Sequence, residues 1–240
     1  MENNDLQNAA ETAAEAAAVK KPGLFSRERR KKTFIAIAVL AVLIAAAIFA
    51  LDSISASSVA EKYLKALKTN DLYIMDKYGV YPCKADTDRR ISSYAEKHGI
   101  EDLSAAEEEY YDHLSEIYEE DIDSWKDYCK AFHERYLEEL EDLYGEFELT
   151  VEAKREKNIS IRKLRSEIEG TNEGTYIAAR MKWLESTGDF DLDNYSRAAA
   201  VTVSYKVYGD DVNIRRSYNV YLVRDGIFWK ALGYLTNNAK

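Results

Sequence analysis

The sequence predicts an α+β protein in which one membrane-spanning helix precedes a single mixed domain. Three observations carry this prediction: a charge-free apolar run at residues 33–51, apolar residues at helical spacing through residues 57–144, and alternating apolar and polar residues from 147 onward. Helices followed by consecutive strands that turn back on one another are typical of an α+β domain with an antiparallel sheet.

The apolar run extends from Thr33 to Leu51 and is bounded by charged residues on both sides. As a helix it reaches about 28 Å, close to the roughly 30 Å hydrocarbon core of a bilayer. Because a helix closes its backbone hydrogen bonds internally, the run predicts a transmembrane helix. A cleaved signal peptide is the alternative, since Ser55-Ala56-Ser57-Ser58 offers small residues after the run. The length of the run and of the preceding 32-residue tail favours an anchor.

The flanks of the predicted span give its orientation. Seven basic residues lie within residues 20–32, whereas the first basic residue after the span is Lys62. Cationic flanks stay in the cytoplasm. Residues 1–32 are therefore predicted to form a disordered cytoplasmic tail with a polybasic end, and residues 53–240 an extracytoplasmic domain. The polybasic segment attracts anionic inner-leaflet lipid or acts as a topology signal alone.

Charge is divided unevenly along the chain. The net charge is −10, of which residues 1–32 contribute +2 and the part after the span contributes −12. An acidic exterior repels phosphates and argues against nucleic acid as a partner. It is also what keeps a domain surface soluble.

The two cysteines, Cys83 and Cys129, both follow the span. In an oxidising compartment they form one disulfide that closes a loop of about 45 residues, or each is a buried apolar side chain; both interpretations stay open. Cys129 with His133, and Glu109 with His113, stand four residues apart on a predicted helix. Two ligands do not make a metal site, and no CxxC or HExxH spacing occurs, so no metal residue is predicted.

Short helices are predicted directly after the span, each with a polar residue able to cap its first turn. The first buries Val59, Tyr63, Leu64 and Leu67 at helical spacing. The three run from Ser57 or Ser58 to about Thr69, from Asp71 to Gly79, and from Asp86 to Gly99.

The strongest helical pattern begins at Ser104, which with Glu107 fits a capping box. Apolar residues then recur every three or four positions as far as Gly145. One helix of this length would reach about 60 Å and overhang a small domain. A bend or an antiparallel partner is therefore favoured. The alternative to one continuous helix is a break near residues 121–124, with Asp123 or Ser124 capping a second helix.

The remaining predicted elements include both strands, in which apolar residues take every second position, and helices, in which they recur every three or four positions. Phe147–Lys154 reads as a half-buried strand, and two helical pieces follow it. Asp225-Gly226 is typical of a tight hairpin between the last two strands. The predicted helices are Ser160–Glu169 and Thr175–Ser186, and the predicted strands are Val201–Val207, Val212–Arg224 and Ile227–Leu235.

Tyrosine is unusually frequent, with eighteen residues, and six lie in the predicted long helical segment. Their rings either pack in a core or form an exposed aromatic surface for a sugar or a partner protein. The six residues of this predicted binding surface are Tyr110, Tyr111, Tyr118, Tyr128, Tyr136 and Tyr144.

Two motifs carry a family resemblance. The opening helix AEKYLKALKTND, Ala60–Asp71, and the closing pattern V-x-V-x-Y-x-V … Y-x-V-x-L-V-x-D-G-x-x-W-K, which ends at Lys230, resemble the NTF2-like superfamily. More narrowly, they resemble its uncharacterised membrane-anchored members in Gram-positive bacteria. The resemblance covers residues 57–82 and 145–235. It implies a cystatin-like cone, a curved antiparallel sheet of four to six strands around an apolar pocket. Residues 83–144 depart from it as a helical insertion.

Enzymes on this fold, such as relatives of ketosteroid isomerase and polyketide cyclases, place an acid or base inside the cone. No carboxylate here stands at a spacing that marks such a role, and no phosphate-loop or nucleophile-elbow motif occurs. No catalytic or cofactor-binding residue is therefore predicted. The leading hypothesis is a non-enzymatic, membrane-anchored extracytoplasmic domain that binds a small ligand, a cell-wall component or an envelope protein. A cone-pocket enzyme and a scaffold acting through the Tyr-rich helix are the alternatives.

Overall fold

The computed structural model describes residues 55–170, 174–187 and 190–236. The predicted cytoplasmic tail and the predicted span at 33–51 lie outside these residues. Within them, no helix is both long and apolar enough to cross a bilayer. The described chain is an α+β fold with a four-stranded antiparallel sheet, which confirms the α+β class and the antiparallel sheet of the prediction.

Helices occupy the first half of the described chain, and three of the four strands end it. The helices are α1 (Ala56–Lys68), α2 (Leu72–Tyr78), α3 (Cys83–His98), α4 (Leu103–Tyr118), α5 (Trp125–Tyr144), α6 (Ile161–Glu169) and α7 (Gly174–Thr187), with a 3₁₀ turn at Leu192–Asn194. The strands are β1 (Phe147–Ile159), β2 (Ala198–Gly209), β3 (Asn213–Asp225) and β4 (Phe228–Thr236).

The sheet is a meander in the order β1-β2-β3-β4, and every pair of neighbours is antiparallel. Strand β1 carries a bulge between Ala153 and Arg155. There the backbone N–H of Ala153 donates to the Glu61 carboxylate of α1, with an N···O distance of 2.6 Å. Gly226 adopts a φ of 58° in the turn between β3 and β4, as the predicted Asp-Gly hairpin requires.

Helices cover both faces of the sheet, because successive strand side chains point to opposite sides. On the first face, which we call the α1 face, Leu64 and neighbouring residues of α1 pack against Val203 and Val220. On the opposite face, Leu164 of α6 and Leu184 of α7 belong to a second core. Each fully buried aliphatic side chain contributes roughly 1.5–3 kcal/mol to folding.

Helices α3, α4 and α5 form a helical layer with a core of its own. This core includes Ile91, Ala95, Ala106, Tyr111, Leu114, Ile122, Tyr128 and Ala131. The predicted break in the long helix is confirmed: Glu119 has a left-handed φ of 56°, and the Ser124 hydroxyl accepts the N–H of Asp127 at the start of α5. Between them, the Ser115 hydroxyl accepts the N–H of Ile122 at 2.9 Å and fixes the connection.

Three helix starts differ from their predictions. Ser55 caps α1 by accepting the N–H of Ser58, so the caps predicted at residues 57 and 58 are wrong. Asp102, rather than the predicted Ser104, caps α4. Helix α3 begins at Cys83 instead of Asp86, because Asp76 of α2 accepts the N–H of Lys84 at 2.9 Å. That last cap comes from another helix, which local sequence signals do not reveal.

Candidate functional site

Lys68, the last residue of α1, lies among the rings of three tyrosines on the sheet. Its Nζ is 4.5 Å from the ring centroid of Tyr234, 4.6 Å from that of Tyr218 and 5.8 Å from that of Tyr205. Nζ also donates to the Tyr234 hydroxyl at 2.9 Å. We call these four residues the lysine–tyrosine cluster.

The register of the sheet brings the three rings together. Tyr218 pairs with Val203 on β2 and with Thr236 on β4, so Tyr205 and Tyr234 are its diagonal neighbours on the two adjacent strands. Long aromatic side chains reach across such diagonals. The Tyr205 and Tyr218 rings meet edge to face at 5.9 Å between centroids, and Tyr218 and Tyr234 do so at 5.0 Å.

Helical spacing places the lysine over these rings. Lys68 lies four residues after Leu64, which is fully buried on the α1 face, and so projects from the same side of α1. Its methylene stem covers apolar surface while the ammonium group reaches the edge of the core. Lys68 is consequently half-buried, whereas Lys65, one turn earlier on the same helix, is exposed.

The surroundings of the cluster favour the charged form of Lys68 and the neutral form of Tyr205. Burial alone lowers the pKa of Lys68, but hydrogen bonding and electrostatic interaction with Tyr234, and to a smaller extent with Tyr218, outweigh it, and the net pKa is raised. Burial raises the pKa of Tyr205 to about 12, with further contributions from the neighbouring tyrosines. No carboxylate among the described residues forms an ion pair with Lys68.

Helix α5 borders the cluster. Its Tyr136 and Tyr144 lie near enough to Tyr205 to raise that group's pKa. His133 Nδ1 lies 2.7 Å from the carbonyl oxygen of Thr69, the C-terminal cap residue that follows α1. Because a carbonyl only accepts hydrogen bonds, Nδ1 is the donor. Helix α5 is thereby fixed to the end of α1 that carries the lysine.

The six tyrosines of the predicted binding surface fall into three pairs. Tyr111 and Tyr128 are 3% and 7% exposed in the core of the helical layer, which corrects the prediction for these two. Tyr110 and Tyr118 are half-buried against the same core. Tyr136 and Tyr144 are half-buried beside the lysine–tyrosine cluster. Helical spacing alone does not show which neighbouring element covers each ring. Four of the six rings pack in or against the core of the helical layer.

The two cysteines are buried and not bonded to each other. Cys129 is 2% exposed on α5 and Cys83 is 8% exposed at the start of α3, as expected of buried apolar side chains. Burial raises the pKa of the Cys129 thiol to about 12, and the nearby Cys83 adds to the rise. At neutral pH the Cys129 thiol is therefore protonated and a poor nucleophile.

At neutral pH the Lys68 amine is protonated and the Tyr205 hydroxyl is neutral. Among the described residues, the buried polar side chains are Thr69 and Thr87, and no carboxylate is buried. No group of three or more His, Cys, Asp or Glu residues in the same residues is arranged to hold a metal ion. Lys68 has a raised pKa, so it is neither a base nor a nucleophile at neutral pH.

A separate cleft of about 290 Å³ lies between α6 and α7. Charged residues of both signs line it, including Arg165, Lys182, Glu169 and Glu185, together with the apolar Ile168 and Met181. None of the described residues that line the cleft is aromatic, and their two basic and two acidic side chains favour neither cations nor anions. The lysine–tyrosine cluster, with one charge and three rings, has the clearer chemical preference.

Sequence reasoning did not single out Lys68, Tyr205, Tyr218 or Tyr234. The available signals were a tyrosine at the inward parity of three consecutive strands and a lysine four residues after a core leucine. No family model, no curated protein and no solved structure matches the chain. The cluster is therefore described by its own geometry.

Proposed function

We propose that the protein is a single-pass membrane protein that presents a non-enzymatic, NTF2-like binding domain outside the cell. The domain binds a small ligand or an envelope partner at the lysine–tyrosine cluster. The observation that carries this proposal is the half-buried ammonium of Lys68, which faces three aromatic rings and no carboxylate of the described chain.

The arrangement of α1 on the sheet supports the NTF2-like assignment. The helix that carries the opening motif packs on one face of a four-stranded antiparallel meander, and β2 to β4 carry the closing motif. The segment that departs from the motif, residues 83–144, folds as α3–α5 around its own core. This is the organisation expected of a helical insertion into an NTF2-like domain.

The charge and polarity of the cluster support a binding role. A cone enzyme of the ketosteroid-isomerase type requires a carboxylate inside the apolar pocket, with a raised pKa. The α1 face contributes tyrosines and a lysine to this region instead. Aromatic rings beside one fixed charge are typical of sites that recognise a ligand by stacking and by charge.

The membrane anchor rests on the sequence. Residues 33–51 contain no charge, the seven basic residues before them predict a cytoplasmic N-terminus, and the acidic part of the chain follows. The domain that carries the cluster begins at α1, only a few residues after this run.

Protease treatment of cells tests the location of the domain. The full chain carries an epitope tag after Lys240, and protease is added to intact cells and to permeabilised cells. We expect the tag to be lost in both samples, because the domain lies outside. Protection in intact cells with loss after permeabilisation would contradict the extracytoplasmic location.

Site-specific photo-crosslinking tests the binding role. A photoreactive benzoylphenylalanine replaces Tyr136, beside the cluster, or Tyr208 as the control. Tyr208 is 61% exposed, and strand alternation points it away from the α1 face. We expect mass-spectrometric adducts from cells at position 136 and none at 208. Equal adducts at both positions, or none at 136, would count against binding at this site.

A further inference from the structure

The ammonium group of Lys68 has an N–H donor that the cluster does not use. An ammonium carries three N–H donors; the Tyr234 hydroxyl accepts one of them at 2.9 Å, and the Tyr218 hydroxyl interacts with another. Because that hydroxyl accepts from Lys68, its own proton remains available to another acceptor. One charged and one neutral donor group therefore lie 2.9 Å apart, with the ring centroid of Tyr205 5.8 Å from the ammonium nitrogen.

Several other lysines of the described chain contact a carboxylate or a backbone carbonyl oxygen, whereas the hydrogen-bond partner of Lys68 is a tyrosine hydroxyl. Lys84, Lys130 and Lys163 each pair with an acid four residues later on the same helix. The half-buried Lys230 donates to the carbonyl oxygen of Lys77 at 2.7 Å. Lys68 is half-buried as well, yet it has no carboxylate partner among the described residues, although the chain contains 43 acidic side chains.

The three rings and the ammonium group together determine whether a cation or an anion can bind at the cluster. The faces of Tyr205, Tyr218 and Tyr234 attract cations, but the ammonium of Lys68 already occupies that position. A second cation would be repelled by it. An anion, in contrast, could accept hydrogen bonds from both neighbouring donors, and charge-assisted hydrogen bonds of this kind are strong.

We propose that the lysine–tyrosine cluster binds an anionic group, a carboxylate or a phosphate, on a ligand whose flat or apolar body contacts Tyr205 and Tyr136. This inference rests on the proposed function, because it names the ligand class of the same site. The shared chemistry is a small oxyanion attached to a ring or to an apolar body. The experiment below separates the carboxylate from the phosphate.

Four probes of similar size test the sign of charge. They are benzoate, phenyl phosphate, benzyltrimethylammonium and benzyl alcohol, titrated into the full chain in a neutral detergent. The protein carries ¹³C at the lysine ε positions, and Lys68→Arg and Lys65→Met identify the two resonances. We expect benzoate or phenyl phosphate to shift the Lys68 resonance in a saturable manner. The exposed Lys65 resonance, on the same helix, stays in place with every probe.

Matched variants separate charge from shape. Lys68→Met keeps the length of the stem and removes the ammonium, so the affinity for the anionic probe falls by about tenfold or more. Lys68→Arg keeps the charge and retains most of the affinity. Lys65→Met leaves it unchanged. Circular dichroism of each variant verifies the fold. If Lys68→Met does not fold, the titration of the unaltered protein with the four probes still tests the proposal.

The outcomes distinguish this inference from the proposed function. A larger shift of Lys68 with benzyltrimethylammonium or benzyl alcohol than with the anions would overturn the inference and leave a binding site in place. Equal shifts with all four probes, or none with any of them, would overturn it as well. Anion binding by a chain whose tag is protected in intact cells would uphold the inference and refute the extracytoplasmic location.

Discussion

His133 of α5 donates from Nδ1 to the carbonyl oxygen of Thr69, 2.7 Å away, and so joins the helical layer to the end of α1. The two residues are 64 positions apart in the chain. Thr69 is 4% exposed, so its carbonyl oxygen has little water to replace the imidazole. The contact fixes α5, with Tyr136 and Tyr144, beside Lys68.

Replacing His133 by alanine is expected to destabilise the domain. The Thr69 carbonyl would lose its side-chain partner in a largely buried position, which costs about 1–3 kcal/mol. Urea unfolding followed by circular dichroism measures the change. His113→Ala is the control, because His113 is exposed on α4 and is expected to change stability by less than about 0.5 kcal/mol. Equal stabilities of the two variants would contradict a structural role for His133.

Glu61→Ala is expected to loosen the bulge of β1. The Glu61 carboxylate accepts the N–H of Ala153 at 2.6 Å. This N–H lies at the position where the register of β1 with β2 shifts. Loss of this acceptor is expected to cost about 1–3 kcal/mol and to speed hydrogen exchange at the Ala153 amide. The exposed Glu96 provides a control in Glu96→Ala. Unchanged exchange at Ala153 in Glu61→Ala would show that the bulge does not depend on this carboxylate.

The Cys129 thiol is expected to react slowly while the protein is folded. Burial raises its pKa to about 12, so at pH 8 the thiolate is scarce as well as inaccessible. Ellman's reagent, applied to Cys83→Ser with and without urea, measures the reactivity of Cys129 alone. We expect slow labelling in buffer and rapid labelling in urea. Labelling in buffer at the rate seen in urea would contradict the buried position.

Alkaline pH is expected to destabilise the domain. Burial raises the pKa of both Tyr128 and Tyr205 to about 12, whereas an unfolded tyrosine titrates near 10. Between these values the folded state holds more protons than the unfolded state, so the free energy of unfolding falls as pH rises from about 10 to 12. Below about 10 these groups make no pH-dependent contribution.

Phenolate absorbance and circular dichroism, recorded on the same samples, measure this alkaline transition. We expect a fraction of the tyrosines to ionise only as the helical signal is lost. The single variants Tyr128→Phe and Tyr205→Phe should each reduce the late fraction. Complete ionisation near pH 10 with the fold intact would contradict the burial of these hydroxyls.

Sequence reasoning recovered the elements whose signals are local. Asp71 caps α2 and Gly99 ends α3, both as predicted, because a cap needs only the few residues around it. The start of α3 was misplaced, because Asp76 of another helix supplies the acceptor. The periodicity of the strands likewise predicted the meander.

The candidate site depends on contacts between distant parts of the chain, and these the sequence does not reveal. Lys68 and Tyr234 are 166 positions apart, and their contact requires both the register of β3 with β4 and the placement of α1 across the sheet. The six tyrosines of the helical segment illustrate the same difficulty. Helical spacing marks a stripe, but Tyr111 lies in a core while Tyr136 lies beside the cluster.

The bulged strand β1 has a consequence for self-association. It is an outer strand of the meander, and beyond its bulge the side chains from Arg155 to Lys157 are all charged and exposed. Unpaired outer strands invite neighbouring copies to add strands of their own, and bulges and charges prevent this. Even at high protein concentration, the exposed edge of β1 is therefore expected not to pair with the sheet of another copy.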